Sequence, residues 1–168
     1  MRWQGRYVNT GATVTLGGLG GGRVRLDILN SGVVRVSNLR DTTTALMTNV
    51  AAGSIPGWAT DCDIVLTIDL PGLACDVWID GVQTLNHTVA ANTGSFETAR
   101  RLGLLAYDDG SGVPPNTAQV QGTFSRLDIW KAYTATGDTS GLGAPFKTIT
   151  GGAAAVNADA WKLLIDAT

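Results

Sequence analysis

Hydrophobic and polar residues alternate with a period of two in two long stretches of the chain. In the first, Val24, Leu26 and Ile28 alternate with Arg23, Arg25 and Asp27, and beyond Asn30-Ser31-Gly32 the pattern resumes with Val34 and Val36. Alternation of this kind marks strands with one buried face, and a Gly-containing turn between two of them marks a hairpin. Leu29 opposite Val33 sets Ile28 against Val34 and Leu26 against Val36 on one face. The same register sets Asp27 against Arg35, opposite charges, on the other. In the second stretch Ile64, Leu66, Ile68 and Leu70 share a face, Pro71-Gly72-Leu73-Ala74 reads as the turn, and Cys75, Val77 and Ile79 return. Leu70 opposite Cys75 then brings Ile68 to Val77 and Leu66 to Ile79. That register holds Cys62 about eight residues, roughly 26 Å, from the partner of Cys75, too far for a disulfide.

The rest of the chain is less regular. Residues 12–16 read as a strand, and five glycines within residues 17–22 read as a flexible break. Residues 1–22 are therefore expected to form an N-terminal arm and linker. Strands are predicted over 101–107 and 122–131, joined by a Gly- and Pro-rich loop. After Tyr133 the period fades, and a short helix is predicted over 157–165 with Trp161, Leu164 and Ile165 on one side. Short strands at turn-punctuated intervals predict an all-β fold, an antiparallel β-sandwich of the jelly-roll kind over 23–132, followed by a C-terminal arm over 133–168.

Composition sharpens this picture. Thirteen of the 14 acidic residues are Asp and only three of the 12 basic residues are Lys, a bias away from helix formers. With 22 Gly and 21 Thr, turns and strands are favoured. The net charge of −2 supplies no basic field for nucleic acid. No apolar run suits a signal peptide or a membrane span, so synthesis in the cytoplasm without membrane insertion is expected. Cys62 and Cys75 are too few for a disulfide scaffold and are not spaced as a zinc site. Charged residues make up only 15% of the chain, which points to surface covered by a partner.

Trp58, then Asp63-Ile64-Val65-Leu66-Thr67-Ile68-Asp69, then Cys75-Asp76-Val77-Trp78-Ile79-Asp80-Gly81, resemble the central strands of concanavalin A-like (laminin G-like) jelly-roll modules. Leu102-Gly103-Leu104-Leu105 and residues 122–130 are similar to the closing strands of those modules. The resemblance implies the sandwich fold over about 23–132, and implies glycan or calcium as ligand classes. The Gly, Thr and Ala bias of the C-terminal segment resembles assembly arms of virion proteins in tailed phages.

Each implied chemistry can be set against the residues. Retaining glycosidases need two carboxylates about 5 Å apart, in this fold commonly two Glu, and Glu97 is the only Glu of the chain. His87, the sole His, falls in an expected loop with no nucleophile elbow, so no triad is assigned and no enzyme is expected. Calcium is the candidate cofactor, at Asp61/Asp63 or Asp108/Asp109, but Asp also caps turns without metal and no EF-hand spacing is present, so no metal site is assigned. Asn86-His87-Thr88 is a formal glycosylation sequon. The glycines at 17–22 lack the Lys-Ser/Thr ending of a phosphate loop. The strand face with Trp78, Thr67, Asp69, Asp76 and Asp80 is the candidate glycan site, an aromatic ring flanked by hydroxyl-accepting carboxylates. Its alternative is that Trp78 packs beneath a loop or the C-terminal arm. Phe146, Trp161, Leu164 and Ile165 are the candidate partner-docking residues. The leading expectation is a structural virion protein of a tailed phage, in capsid decoration or the tail, docking to other virion proteins and to copies of itself. A lectin-like carbohydrate-binding module is the alternative.

Overall fold

The computed structural model describes residues 1–9, 11, 13–19, 24–40, 43–91, 101–104, 121–130, 133–150, 153–154 and 165–166. These residues form strands β1 (Arg2–Val8), β2 (Val14–Leu19), β3 (Val24–Ile28), β4 (Val33–Arg40), β5 (Ala45–Ser54), β6 (Asp61–Asp69) and β7 (Ala74–Ile79). They continue with β8 (Val82–Thr88), β9 (Arg101–Leu104), β10 (Gln121–Ile129), β11 (Lys147–Thr150), β12 (Ala153–Ala154) and β13 (Ile165–Asp166). Sheet A runs in the order β11-β10-β1-β6-β7-β8, with β12 also on β10, and sheet B runs β13-β9-β2-β3-β4-β5. All pairings are antiparallel. Among the described residues no helix is long and apolar enough to cross a membrane.

The two sheets share one core, which makes the fold a β-sandwich. Trp3, Tyr7, Ile64, Leu66, Cys75, Val77 and Leu127 from sheet A meet Leu16, Leu26, Ile28, Val34, Val36 and Leu39 from sheet B in one buried cluster. Ile68 is half-buried at its margin. The first hairpin has the expected register, with Leu26↔Val36, Asp27↔Arg35 and Ile28↔Val34. Its outer face holds an unexpected feature, because Asp27 is only 1% exposed. Buried carboxylates require partners. Thr15 Oγ1 donates to Asp27 at 2.8 Å, Ser37 Oγ donates closely, and Arg25 and Arg35 reach it at 3.2 and 3.3 Å.

The second hairpin keeps its faces but shifts by two residues, with Ile64↔Ile79, Leu66↔Val77 and Ile68↔Cys75. The four-residue loop is 70–73 rather than 71–74. Asp69 Oδ1 accepts the Gly72 N–H at 3.1 Å and Leu73 N–H donates to Leu70 O at 3.2 Å, so Asp69 caps the turn and ends the ladder. Cys62 and Cys75 are buried free thiols, each pushed up to about 12 by burial and by nearby aspartate charge.

Three corrections concern the chain ends. Residues 2–8 are not an arm. Trp3, Gly5 and Tyr7 point inward while Arg2, Gln4 and Arg6 point out, and β1 is bonded to β6 on one side and β10 on the other. The glycine run is not a break up to Leu19, since Gly17 and Gly18 pair with β3 and with β9. Strands therefore pair across the expected boundary at 22. In the C-terminal segment β11 and β12 pair with β10, and Ile165, placed in a helix by the sequence, pairs as part of β13 with Leu102. The rest of that helix lies outside the described residues. His87 is in strand β8 opposite Cys75, not in a loop.

Leu66, 1% exposed in the centre of sheet A, should cost about 2–5 kcal/mol when replaced by Ala. Val82, 64% exposed, should cost no more than about 0.5 kcal/mol under the same change. Denaturant midpoints of the two variants check both, and a small loss at Leu66 would mean that the shared core is misassigned.

Candidate functional site

The outer face of sheet A carries Trp78, Thr67, Asp69 and Asp76 of the expected glycan site, with Asp80 in the adjoining β7–β8 turn, and Trp78, Thr67 and Asp76 are buried there. In β6 and β7 the odd-even alternation sends Ile64, Leu66, Cys75 and Val77 inward, leaving Asp63, Val65, Thr67, Asp69, Asp76 and Trp78 on the outer face. That face should be wet in a two-layer fold. Instead Trp78 and Asp76 are each 3% exposed, and Thr67 is buried with a hydroxyl that meets no partner among the described residues.

The cover is the segment 133–142, which leaves β10 and crosses the face before the short 3₁₀ turn Ser140–Leu142. Tyr133 donates its hydroxyl to Asp76 Oδ2 at 2.8 Å, while Gln83 Nε2 donates to Oδ1 at 3.3 Å. Gly137 lies on the indole of Trp78. A Cβ there would stand 2.5 Å from the ring, and the residue also has φ +72°, so only glycine suits this contact. At the far end Arg2 Nη1 donates to Thr139 Oγ1 at 3.3 Å. The segment thus acts as a strap, pinned at a phenol, at a ring face and at a guanidinium.

Beside the strap a cavity of about 340 Å³ remains, lined by Arg2, Asp63, Val65, Trp78, Gly81 and residues 136–140. Asp63 receives Arg2 through Nε and Nη2, the latter at 2.5 Å, and Gln4 at 3.3 Å. The bonds to Asp63 raise the Arg2 guanidinium above its ordinary value, against the opposing effect of burial. Asp138 accepts the Ser140 N–H at 2.9 Å, which holds its carboxyl below the usual carboxylate range. Next to this site Asp128 is pulled two ways. Burial pushes its carboxyl up, but the bonds from Arg126 at 2.6 Å and Thr148 at 2.5 Å bring it down overall.

The remaining expected residues are dispersed. Asp69 caps the 70–73 loop, and Asp80 sits in the β7–β8 turn with its Oδ1 on the Asp63 N–H. Asp61 is exposed and bonded by Arg6 at two positions 3.0 Å long, and Asp63 is held by Arg2, so the first calcium pair is committed to arginines. Asp108, Asp109 and Glu97 lie outside the described residues, as do Trp161 and Leu164. Phe146 is 49% exposed just before β11, and for Ile165 the backbone pairing is known. Among the described residues no group of three or more His, Cys, Asp or Glu side chains converges as metal ligands would. Sequence reasoning missed Arg2, Tyr133, Gly137 and Asp138 as parts of this site. The period-two pattern of β1 was a signal for Arg2, whereas the strap has no period to read.

No protein-family model matches the chain, and the curated proteins give no match either.

The Tyr133–Asp76 bond can be followed by pH. Tyr133 is pushed up to about 12, first by that hydrogen bond and then by burial and the Asp76 charge. Its unfolded counterpart ionises near 10, so the bond contributes stability below pH 10 that is lost as pH rises toward 12. In an ultraviolet titration, Asp76→Asn should move one tyrosine from about 12 toward 10, and Tyr133→Phe should remove it. An unchanged titration in Asp76→Asn would mean that the strap is not anchored there.

Proposed function

We propose that this chain is a structural, non-catalytic β-sandwich subunit that acts by docking to other proteins, as a capsid-decorating or tail component of a tailed-phage virion. The sandwich is taken to be a jelly roll of the concanavalin A-like kind, a reading supported by two antiparallel sheets with the resembling strands adjacent at β6 and β7. The observation that carries the docking role is the strap. Among the described residues the face that carries the expected glycan site is largely closed over by the chain's own residues 133–142, with Asp76 taken up by Tyr133 and Asp63 by Arg2. Among the described residues the large apolar side chains left exposed are Val8, Val82 and Phe146, surface suited to protein neighbours rather than to a substrate. Mass spectrometry of gradient-purified phage particles should find the chain at a fixed copy number per particle. Its absence from particles made by cells that express it would sink this reading.

A lectin-like role is the second reading, and the cavity beside Trp78 favours it. About 340 Å³ is near the lower end of small-ligand sites, and Arg2, Asp63 and Asp138 offer both donors and acceptors for sugar hydroxyls. On this reading Asp138→Asn, an exposed change that spares the core, should weaken binding to an arrayed glycan about tenfold. An array without a hit for the unmutated protein retires it.

A further inference from the structure

The strap is braced within itself and held lightly to the sheet. At its neck Trp130 Nε1 donates to Gly143 O at 3.1 Å, so the two ends of the loop are tied together, as in an Ω-loop. Inside the loop Thr134 Oγ1 accepts the Thr136 N–H at 3.3 Å, Asp138 Oδ1 accepts the Ser140 N–H at 2.9 Å, and the Leu142 N–H donates to Thr139 O at 3.2 Å. Toward the strands, no main-chain hydrogen bond from residues 133–142 is found among the described residues. The hold consists of Tyr133 on Asp76, Gly137 on Trp78, and Arg2, which bonds Thr139 and whose charge also acts on Asp138. Lifting the loop about its neck breaks these contacts and leaves the β10–β11 ladder in place.

What lies under the loop is filled as a sugar would fill it. The Tyr133 hydroxyl donates to Asp76, and Gly137 lies on the Trp78 indole where the apolar face of a pyranose ring would stack. The Thr67 hydroxyl, on the residue opposite Asp76 in the ladder, is buried without a partner, in a side chain only 6% exposed. The closed state therefore carries an unsatisfied hydroxyl, a cost that opening or a ligand hydroxyl removes. Trp78 and Gly137 also line the neighbouring cavity, so a lifted loop joins that cavity to the covered patch. We propose that residues 133–142 form a hinged lid that occupies a saccharide site as its built-in competitor. Closed, the lid fills the site. Open, it leaves Trp78, Asp76 and Thr67 to the sugar. This rests on the lectin-like reading above and supplies its regulation, since the apparent dissociation constant becomes the intrinsic one divided by the open fraction.

Two variants of the full chain open the lid by different means. Gly137→Ala sets a Cβ 2.5 Å from the indole at φ +72° and wedges the loop away, whereas Tyr133→Phe removes the latch on Asp76. With the fold of each verified by circular dichroism, the readout is the Trp78 indole N–H resonance, assigned by its absence from Trp78→Phe. A soluble gadolinium chelate should broaden it about threefold more in both variants than in the parent, as the open fraction rises. Maltoheptaose, cellohexaose and chitohexaose are then titrated separately, and at least one should bind the variants about tenfold more tightly than the parent. Should Gly137→Ala not fold, Tyr133→Phe carries both measurements alone. An indole as protected in the variants as in the parent overturns the lid. A sugar that binds parent and variants alike also overturns it, and leaves the lectin-like reading standing. A lid that opens while none of the three sugars binds overturns the saccharide site. If the opened variants then self-associate in sedimentation velocity, the covered face is a protein-docking surface instead.

Discussion

The two-sided pairing of β1 is the constraint on which the rest of sheet A depends. Arg2–Val8 bonds to β6 through residues 61–65 and to β10 through residues 121–128, so one seven-residue strand joins the start, middle and later part of the chain. Its inward residues Trp3 and Tyr7 are both 1% exposed and fill the centre of the core. Its outward residues Arg2 and Arg6 carry the ion pairs to Asp63 and Asp61. Loss of β1 would remove a strand, two large core side chains and the floor of the cavity at once.

Buried aspartates repeat a single solution on both outer faces. Asp27, Asp76 and Asp128 are each under 5% exposed, and each is bonded by residues from other strands or from the strap. A carboxylate has more acceptor sites than one donor can fill, so each draws in two or more partners. Asp27 links β2, β3 and β4, Asp128 links β10 to β11, and Asp76 links β7 to β8 and to the strap. Breaking any one of them by removing a donor leaves a charge without its compensation, which is why such sites tolerate paired changes better than single ones.

How much of this was legible in the sequence depended on how local each determinant was. The first hairpin could be read to its register because a short Gly-containing turn and the Asp27–Arg35 pair both act within a dozen residues. The second was read with correct faces and a displaced turn, since Pro71-Gly72 marks the loop but not the capping by Asp69; a shift of two preserves every side-chain face. β5 and β8 escaped notice for different reasons. Left-handed residues Asn49 and Gly53 interrupt β5, and the polar Asn86-His87-Thr88 looks like a loop. The candidate site was half visible. Its residues on β6 and β7 follow from alternation, but their cover comes from a segment about sixty residues later whose anchors Tyr133, Gly137 and Thr139 follow no period.

The two thiols give the fold an independence from its redox surroundings. Cys62 and Cys75 lie in the core on the inward faces of neighbouring strands, and in register Cys75 is opposite Ile68, six residues along from Cys62. No disulfide is available to be made or broken between them without taking the sheet apart. With both thiols pushed up to about 12, the thiolate fraction at neutral pH is negligible and exchange with small disulfides has no nucleophile to start from. The same native structure is then expected in reducing and in oxidising surroundings alike.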